Sequence, residues 1–332
     1  MSFVRKLIHK YTPTYQKFVF KLFLENKIHP YYGSAIQNKF NASEINIKDT
    51  LSPVISKKHI PHVVMDISDY LKIQPRITPN LKFKEIQQYK GYLINLSNYT
   101  TTDIFLSDTL SKRNIKNLKS KYKKLLNNNK ITFKCYFGEI SKEQYITIFE
   151  TFYELLEKRF HEKKMYNKNL IEWHYLYHLV YPMILSKKAS LFVIYNDKKP
   201  ITITLNFHLN GITFSHIQTY DTNYSKYNMG DISMFKQIEW SFKNNITIFD
   251  LSMGKTYYKI KWSNYVYHFN YHIYYNPKSM ISLFLSFIII LKLKIKQFLR
   301  NKDIIGKFFQ YDTFFYKTRV KKLKNYNWKD SL

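Results

Sequence analysis

Gln218-Thr219-Tyr220-Asp221-Thr222-Asn223-Tyr224-Ser225-Lys226-Tyr227-Asn228-Met229-Gly230-Asp231, running on into Ile232-Ser233-Met234-Phe235-Lys236-Gln237-Ile238-Glu239-Trp240, is the stretch on which the reading of this chain turns. A β-branched and aromatic run stops at a polar loop, the loop closes on a glycine, and an amphipathic helix starts at once. This is the layout of a phosphate-binding turn. Unpaired N–H groups at a helix start, with the helix dipole behind them, attract an anion, and a glycine lets backbone approach a ligand. A loop, a glycine and a helix also meet for purely structural reasons, so the surroundings decide.

Upstream, Leu191 to Tyr195 reads as a strand, Asp197-Lys198-Lys199 turns the chain, and Pro200 to Leu209 alternates as a second strand. Asn210-Gly211 is a two-residue hairpin signal, because both residues tolerate the positive φ of a type I′ turn. Ile212 to Tyr220 is a third strand. Beyond the helix, Asn245 to Leu251 forms a fourth, Ser252-Met253-Gly254 breaks it, Lys255 to Trp262 makes a short helix, and Tyr265 to Tyr275 is a final strand. Antiparallel strands followed by phosphate turn, helix, strand, helix and strand give an α+β order, not a doubly wound one.

Tyr220-Asp221 through Gly230, and then Phe249-Asp250-Leu251-Ser252-Met253-Gly254-Lys255-Thr256-Tyr257-Tyr258-Lys259-Ile260-Lys261-Trp262, resemble the GNAT acyltransferase superfamily, and within it the CelD/BcsL-type acetyltransferase domain. Leu110-Ser111-Lys112-Arg113-Asn114-Ile115 is similar to the family's lead-in, so the resemblance covers roughly Tyr92 to Asn276. The tandem-GNAT FemABX aminoacyltransferases share the closing pattern. One departure stands out: Gly230 is flanked by Asn228, Met229 and Asp231, where the superfamily's pyrophosphate loop has more small residues.

The resemblance implies a mixed, largely antiparallel twisted sheet flanked by helices, with residues 106–278 as the GNAT domain. Residues 1–105 would form a degenerate GNAT-like first half, and 279–332 an apolar and basic helix and tail. It further implies that the strands on either side of the phosphate turn and its helix splay apart, with an acyl-CoA, acetyl-CoA in the simplest case, lying between them. Thr219, Tyr220, Asn228, Met229, Gly230, Asp231 and Ile232 would then bind this co-substrate, with no metal. Acyl transfer from a thioester to an amine needs a placed carbonyl, backbone N–H groups for the oxyanion and a proton acceptor. Asp221 and Asp250, at the ends of the two strands, are candidate proton acceptors or orienting groups, and equally turn formers. Tyr257 or Tyr258 is a candidate proton donor to the leaving thiolate, Lys259 a partner for a phosphate or carboxylate, and His216 a further base by parity with Tyr220. The acceptor implied is a small amine or amino sugar of surface polysaccharide or lipid synthesis. A FemABX-like transfer from charged tRNA, with nucleic acid as partner, is the alternative within enzymes. A non-catalytic relative that binds a polyanion or membrane is the alternative outside them.

The 332 residues carry a net charge of +30, a single cysteine, seven glycines and thirty tyrosines. Such charge points to nucleic acid or an anionic membrane, and equally to the Lys, Asn, Ile and Tyr bias of an AT-rich genome. One cysteine excludes an internal disulfide, and Cys135 in the strand-like run Ile131 to Phe137 reads as a buried apolar residue. Met1 to Phe23 lacks a continuous apolar core and cleavage site, so the expected location is the cytoplasm. Lys112 to Lys124 reads as a basic helix with Ile115, Leu118, Tyr122 and Leu125 on one face, either tracking phosphates or simply solvated. Ser141 and Gln144 form a capping box for the next helix. His174 and His178 have metal-ligand spacing but lack the glutamate and third ligand that zinc chemistry needs. Met280 to Leu291 is apolar but too short to span a bilayer, and Lys292, Lys294, Lys296 and Arg300 follow it. It is either an interfacial anchor on the inner face of the membrane or a helix docked on the protein or in a dimer.

Overall fold

A computed structural model describes residues 12–47, 59–305, 314–318 and 326–331. The expectations for the first eleven residues and for most of the tail beyond 305 fall outside those residues. In chain order the elements begin with β1 (Thr14–Lys17), α1 (Phe18–Glu25), β2 (Tyr32–Asn38), β3 (Glu44–Asn46), β4 (His62–Ser68), β5 (Leu71–Pro75) and β6 (Lys82–Asn95). Next come α2 (Thr102–Thr109), α3 (Lys112–Asn128), β7 (Ile131–Tyr136), α4 (Lys142–Glu162), α5 (Trp173–Leu185), β8 (Ala189–Asn196), β9 (Lys199–Leu209) and β10 (Ile212–Tyr220). The last are α6 (Met229–Lys243), β11 (Ile248–Met253), α7 (Tyr257–Trp262), β12 (Tyr265–Tyr275) and α8 (Met280–Asn301). The α+β expectation holds, and the strand at 212–220 and the final strand at 265–275 fall where the sequence puts them.

The chain divides into two compact units, one of residues 1–92, 253–255 and 266–308, the other of 93–252, 256–265 and 309–332. In the first unit β1 pairs parallel with β4 and β4 antiparallel with β12, while β2 pairs antiparallel with β3 and with β5. Helix α8 lies on this sheet, where Ile289 and Leu293 pack against Val63, Ile86 and Ile273. Gly91 of β6 lies under the ring of the buried Tyr267 of β12, and a Cβ at that position would fall within the ring's van der Waals envelope. Tyr267 is itself wedged edge-on to Tyr70 and Phe269, so it has nowhere to retreat. Gly91→Ala is therefore expected to cost about 1–3 kcal/mol of stability by overpacking. An unchanged urea midpoint would show that the ring does not rest on this glycine.

In the second unit β7, β8, β9 and β10 form an antiparallel run and β11 joins β10 in parallel. The β9–β10 hairpin turns on Asn210 and Gly211, both at positive φ, as the dipeptide requires. Alternation along β9 sends Thr204 and Asn206 toward α6, where they meet Ser233 and Gln237, and sends Ile203, Leu205 and Phe207 to the opposite face. Helix α4 starts at the Ser141 cap, which accepts from the Gln144 N–H, and buries Phe149 and Phe152 against Trp173 of α5. Helix α3 has the same device, with Ser111 accepting from the Asn114 N–H.

Candidate active site

Strands β10 and β11 pair only through Ile212, Thr213 and Phe214 with Ile248, Phe249 and Asp250. The cause of the early end lies in β10. Against β9, Ser215 faces Asn206 and Ile217 faces Leu205, so His216 is an extra, bulged residue. A bulge bends its strand and increases its twist. Beyond Phe214, β10 therefore has a backbone edge with no strand partner on that side among the described residues.

Asp250 stands at the last paired position of this fork and is wholly buried, its carboxylate accepting the Ser252 N–H at 2.7 Å. Its charge acts on Lys259 of α7, whose amine burial lowers to about 8 while Asp250 works in the other direction. Tyr258, one residue earlier, turns its hydroxyl inward and donates to the Gly230 carbonyl at 3.4 Å. Burial, then the Asp231 charge, drive its phenol far above the ordinary range, against weaker opposition from Gln218 and Arg159. Such a phenol is a hydrogen-bond donor and a poor proton donor. Tyr257 is 74% exposed.

The other end of the fork leads through the turn Thr222–Tyr227 to α6. Asn228, in the left-handed region at φ 58, is the N-cap residue, yet its side chain makes no capping bond. Its carbonyl accepts the N–H groups of both Asp231 and Ile232. Among the described residues the Met229 and Gly230 N–H groups meet no acceptor, so the five-residue cradle expected from Asn228 to Ile232 narrows to these two donors. The side chains of Met229 and Ile232 are core. Asp231 would oppose an anion here, but Lys261 Nζ lies 2.6 Å from its carboxylate and Trp262 Nε1 donates to it at 2.8 Å. The helix start therefore still offers two N–H donors and the dipole to an anion, which fits a pyrophosphate.

Several expected residues have structural employment. Asp221 caps the Thr222–Tyr227 turn through the Asn223 N–H and lies 3.4 Å from Lys199 Nζ. Thr219 is buried, its hydroxyl donating to the Leu155 carbonyl of α4. Parity does not carry from Tyr220 to His216, because the bulge resets it. His216 lies beside the rings of Phe207 and Phe214, while Gln218 and Tyr220 pair with Thr204 and Thr202 on the opposite face of β9. Cys135 is half-buried, and burial pushes its thiol up to about 12. His174 shares a hydrogen bond with the Tyr326 hydroxyl.

Two residues at the fork escaped the sequence reading. Arg159 of α4 donates to the Gln218 carbonyl at 3.0 Å and stacks over the Tyr220 ring, and the structure gives it no carboxylate partner among the described residues. Gln218 itself holds a buried side-chain amide that acts on the Tyr258 phenol. A cation from α4 and an amide donor from the strand beyond the bulge thus stand beside the Tyr258 hydroxyl.

Residues 112–260 match the family model described as the acetyltransferase (GNAT) domain. No curated protein matches the chain. Among solved structures, a conserved protein of unknown function from Bacteroides thetaiotaomicron VPI-5482 is similar at 9% identity over 65% of this chain and 71% of that one, with a TM-score of 0.45. L-PGS from Bacillus licheniformis is similar at 11% identity over 71% and 74%, with a TM-score of 0.39, and FemX at 10% over 57% and 65%, with 0.43. The assignment rests on the family match and not on these likenesses. That match spans the forked strands, the uncapped helix and the Lys259 turn alike, and over residues 112–260 the chain is similar to the acetyltransferase (GNAT) domain.

Proposed function

We propose that this domain transfers an acyl group, acetyl in the simplest case, from an acyl-CoA to the amine of a small acceptor such as an amino sugar. The observation that carries the reading is the fork: β10 and β11 pair over three residues, and the unpaired edge of β10 leads to a helix start with two unused N–H donors. An extended pantetheine arm has amides that such an edge can hydrogen-bond, and a pyrophosphate suits the Met229 and Gly230 N–H groups. In the reaction the acceptor nitrogen attacks the thioester carbonyl, the carbon–sulfur bond breaks to release CoA as its thiolate, and the amine's proton must leave. Lys259, poised near 8 beside Asp250, receives it; Arg159 steadies an anionic group of either substrate. The resemblance of Phe249 to Trp262 to CelD/BcsL-type domains favours an amino-sugar acceptor in surface polysaccharide or lipid synthesis.

Calorimetric titration of CoA and acetyl-CoA tests this, with Gly230 as the probe. A Cβ on Gly230 would touch only the Tyr258 ring, at 3.7 Å, so Gly230→Ala should fold normally. Gly230→Glu sets a carboxylate at the anion site and should weaken the donor by at least about tenfold. Equal affinity in a folded Glu variant would remove the helix start from the site.

One observation favours a second reading, transfer from charged tRNA. Basic helix α3 is tied to the turn before α6, Lys121 Nζ donating to the Lys226 carbonyl at 2.7 Å, so its cations border the anion site. A steep salt slope together with aminoacyl-tRNA turnover would select this reading. Polyanion binding without thioester binding would indicate a relative that has lost the chemistry.

A further inference from the structure

Helix α8 is built inside out. Toward the first unit's sheet it turns Ser282, Ser286, Ile289 and Leu293, all buried. Toward solvent it turns Met280, Phe284, Phe287, Leu291, Ile295 and Phe298, which are 81, 65, 62, 47, 51 and 59% exposed. An amphipathic helix that packs on one sheet and meets water on its other side carries its larger apolar residues inward. Here the two serines face the protein and the three phenylalanines face out.

The serines have local work. Ser282 Oγ accepts the Asn276 N–H at 3.1 Å and Ser286 Oγ donates to the Leu283 carbonyl at 2.8 Å, so the inner face is satisfied with little apolar area. On the outer face the Phe298 ring lies 6.0 Å from Lys302 Nζ at the helix's own end, and the other five side chains remain 47–81% exposed. At about 100° per residue, the six exposed side chains fall within about 60° of Phe284 around the helix axis, and Ile281 and Ile288 complete the same sector. Lys292 and Lys294, both exposed, fall about 80° to either side of it. The apolar sector is thereby bordered by a lysine on each flank. Arg300 turns to the protein instead, donating to Gln88 Oε1 at 3.0 Å and lying over the Tyr89 ring.

We infer that the outward face of α8 is a docking surface for an anionic lipid membrane, the helix lying in the plane of the surface. Its phenylalanines enter the acyl-chain boundary, and Lys292 and Lys294 reach the phosphate level on both sides, the geometry in which a lysine stem snorkels. The helix does not cross, since no helix among the described residues is long and apolar enough to do so. Charge selects this occupant over a second copy. Each chain carries +30, so two copies repel where an anionic leaflet attracts. The inference does not depend on the acyl-transfer reading, because α8 lies in the first compact unit and none of its residues belongs to the fork.

Flotation of the full chain with phosphatidylcholine vesicles, and with phosphatidylcholine mixed with phosphatidylglycerol, tests it. The wild type should float with the anionic vesicles only. Phe284→Glu with Phe287→Glu should lower the bound fraction by at least about tenfold, both sites being exposed enough to leave folding intact. Lys292→Glu with Lys294→Glu should lower it by roughly fivefold for each cation lost, with a weaker salt dependence. Circular dichroism and the melting midpoint confirm that the variants are folded. No flotation of the wild type overturns the inference, as does flotation unchanged in the double phenylalanine variant, which would place binding on other basic surface. A dimer in light scattering that Phe284→Glu with Phe287→Glu converts to monomer overturns it too, and makes this face a contact between copies.

Discussion

Lys259→Met is expected to lower kcat/KM by about 10²–10⁴-fold while leaving the affinity for the acyl donor within a few-fold of wild type, the signature of a lost proton acceptor. Enclosure in α7 lowers the amine to about 8, and only the Asp250 charge prevents a larger fall. At pH 7 roughly a tenth of the side chain is then neutral, against well under a thousandth for an ordinary lysine. The sign follows directly: a base with its pKa near 8 is blocked by protonation below that value and open above it, so the rate should rise with pH and level off beyond about 8. Lys259→Arg should be nearly as inactive as Lys259→Met, because a guanidinium keeps its proton. In both variants the limb near pH 8 should vanish from the rate profile. A limb that persists in Lys259→Met would shift the role to another group, with Asp250 the first candidate, since it stands at the apex of the fork and is buried.

What made these residues readable or unreadable is the range of the forces involved. The β9–β10 hairpin, the strand at 212–220 and the helix after Gly230 were legible because turn chemistry and periodicity act over a few residues. The bulge at His216 was not, because it is defined by the register of β10 against β9, and the one local sign of it is that the apolar positions change parity from Ile212 and Phe214 to Ile217. With it went the face of His216. Arg159 was invisible for another reason: it sits on a helix with a strong buried stripe, and what singles it out is a hydrogen bond to a residue fifty-nine positions later. The union of residues 1–92 with 266–308 was equally hidden, since β4 finds β12 some two hundred residues away and no local signal announces the pairing. For α8 the sequence showed an apolar run with a basic end, and only packing could show that the serines face inward.

Asp231→Ala is expected to destabilise the chain by about 3–5 kcal/mol, far beyond the ~0–1 kcal/mol of a surface ion pair. Asp231 and Lys261 side chains are 15 and 6% exposed, and their 2.6 Å contact is joined by the buried Trp262, whose indole N–H also needs the carboxylate. Removing the carboxylate leaves an ammonium and an indole N–H both buried without their acceptor, which is costlier than losing the attraction alone. A compensating change separates the two contributions: Asp231→Ala with Lys261→Met removes both charges and should recover most of the loss in urea denaturation. Lys261→Met by itself leaves the carboxylate unneutralised at the start of α6, one residue from the Gly230 N–H. That variant should also bind an anionic donor more weakly than wild type, because the carboxylate then competes for the same two N–H groups and the same dipole. If Asp231→Ala leaves the urea midpoint in place, α7 is not fastened to the start of α6 through this carboxylate, and the anion site would have to be held in shape by Tyr258 and Gly230 alone.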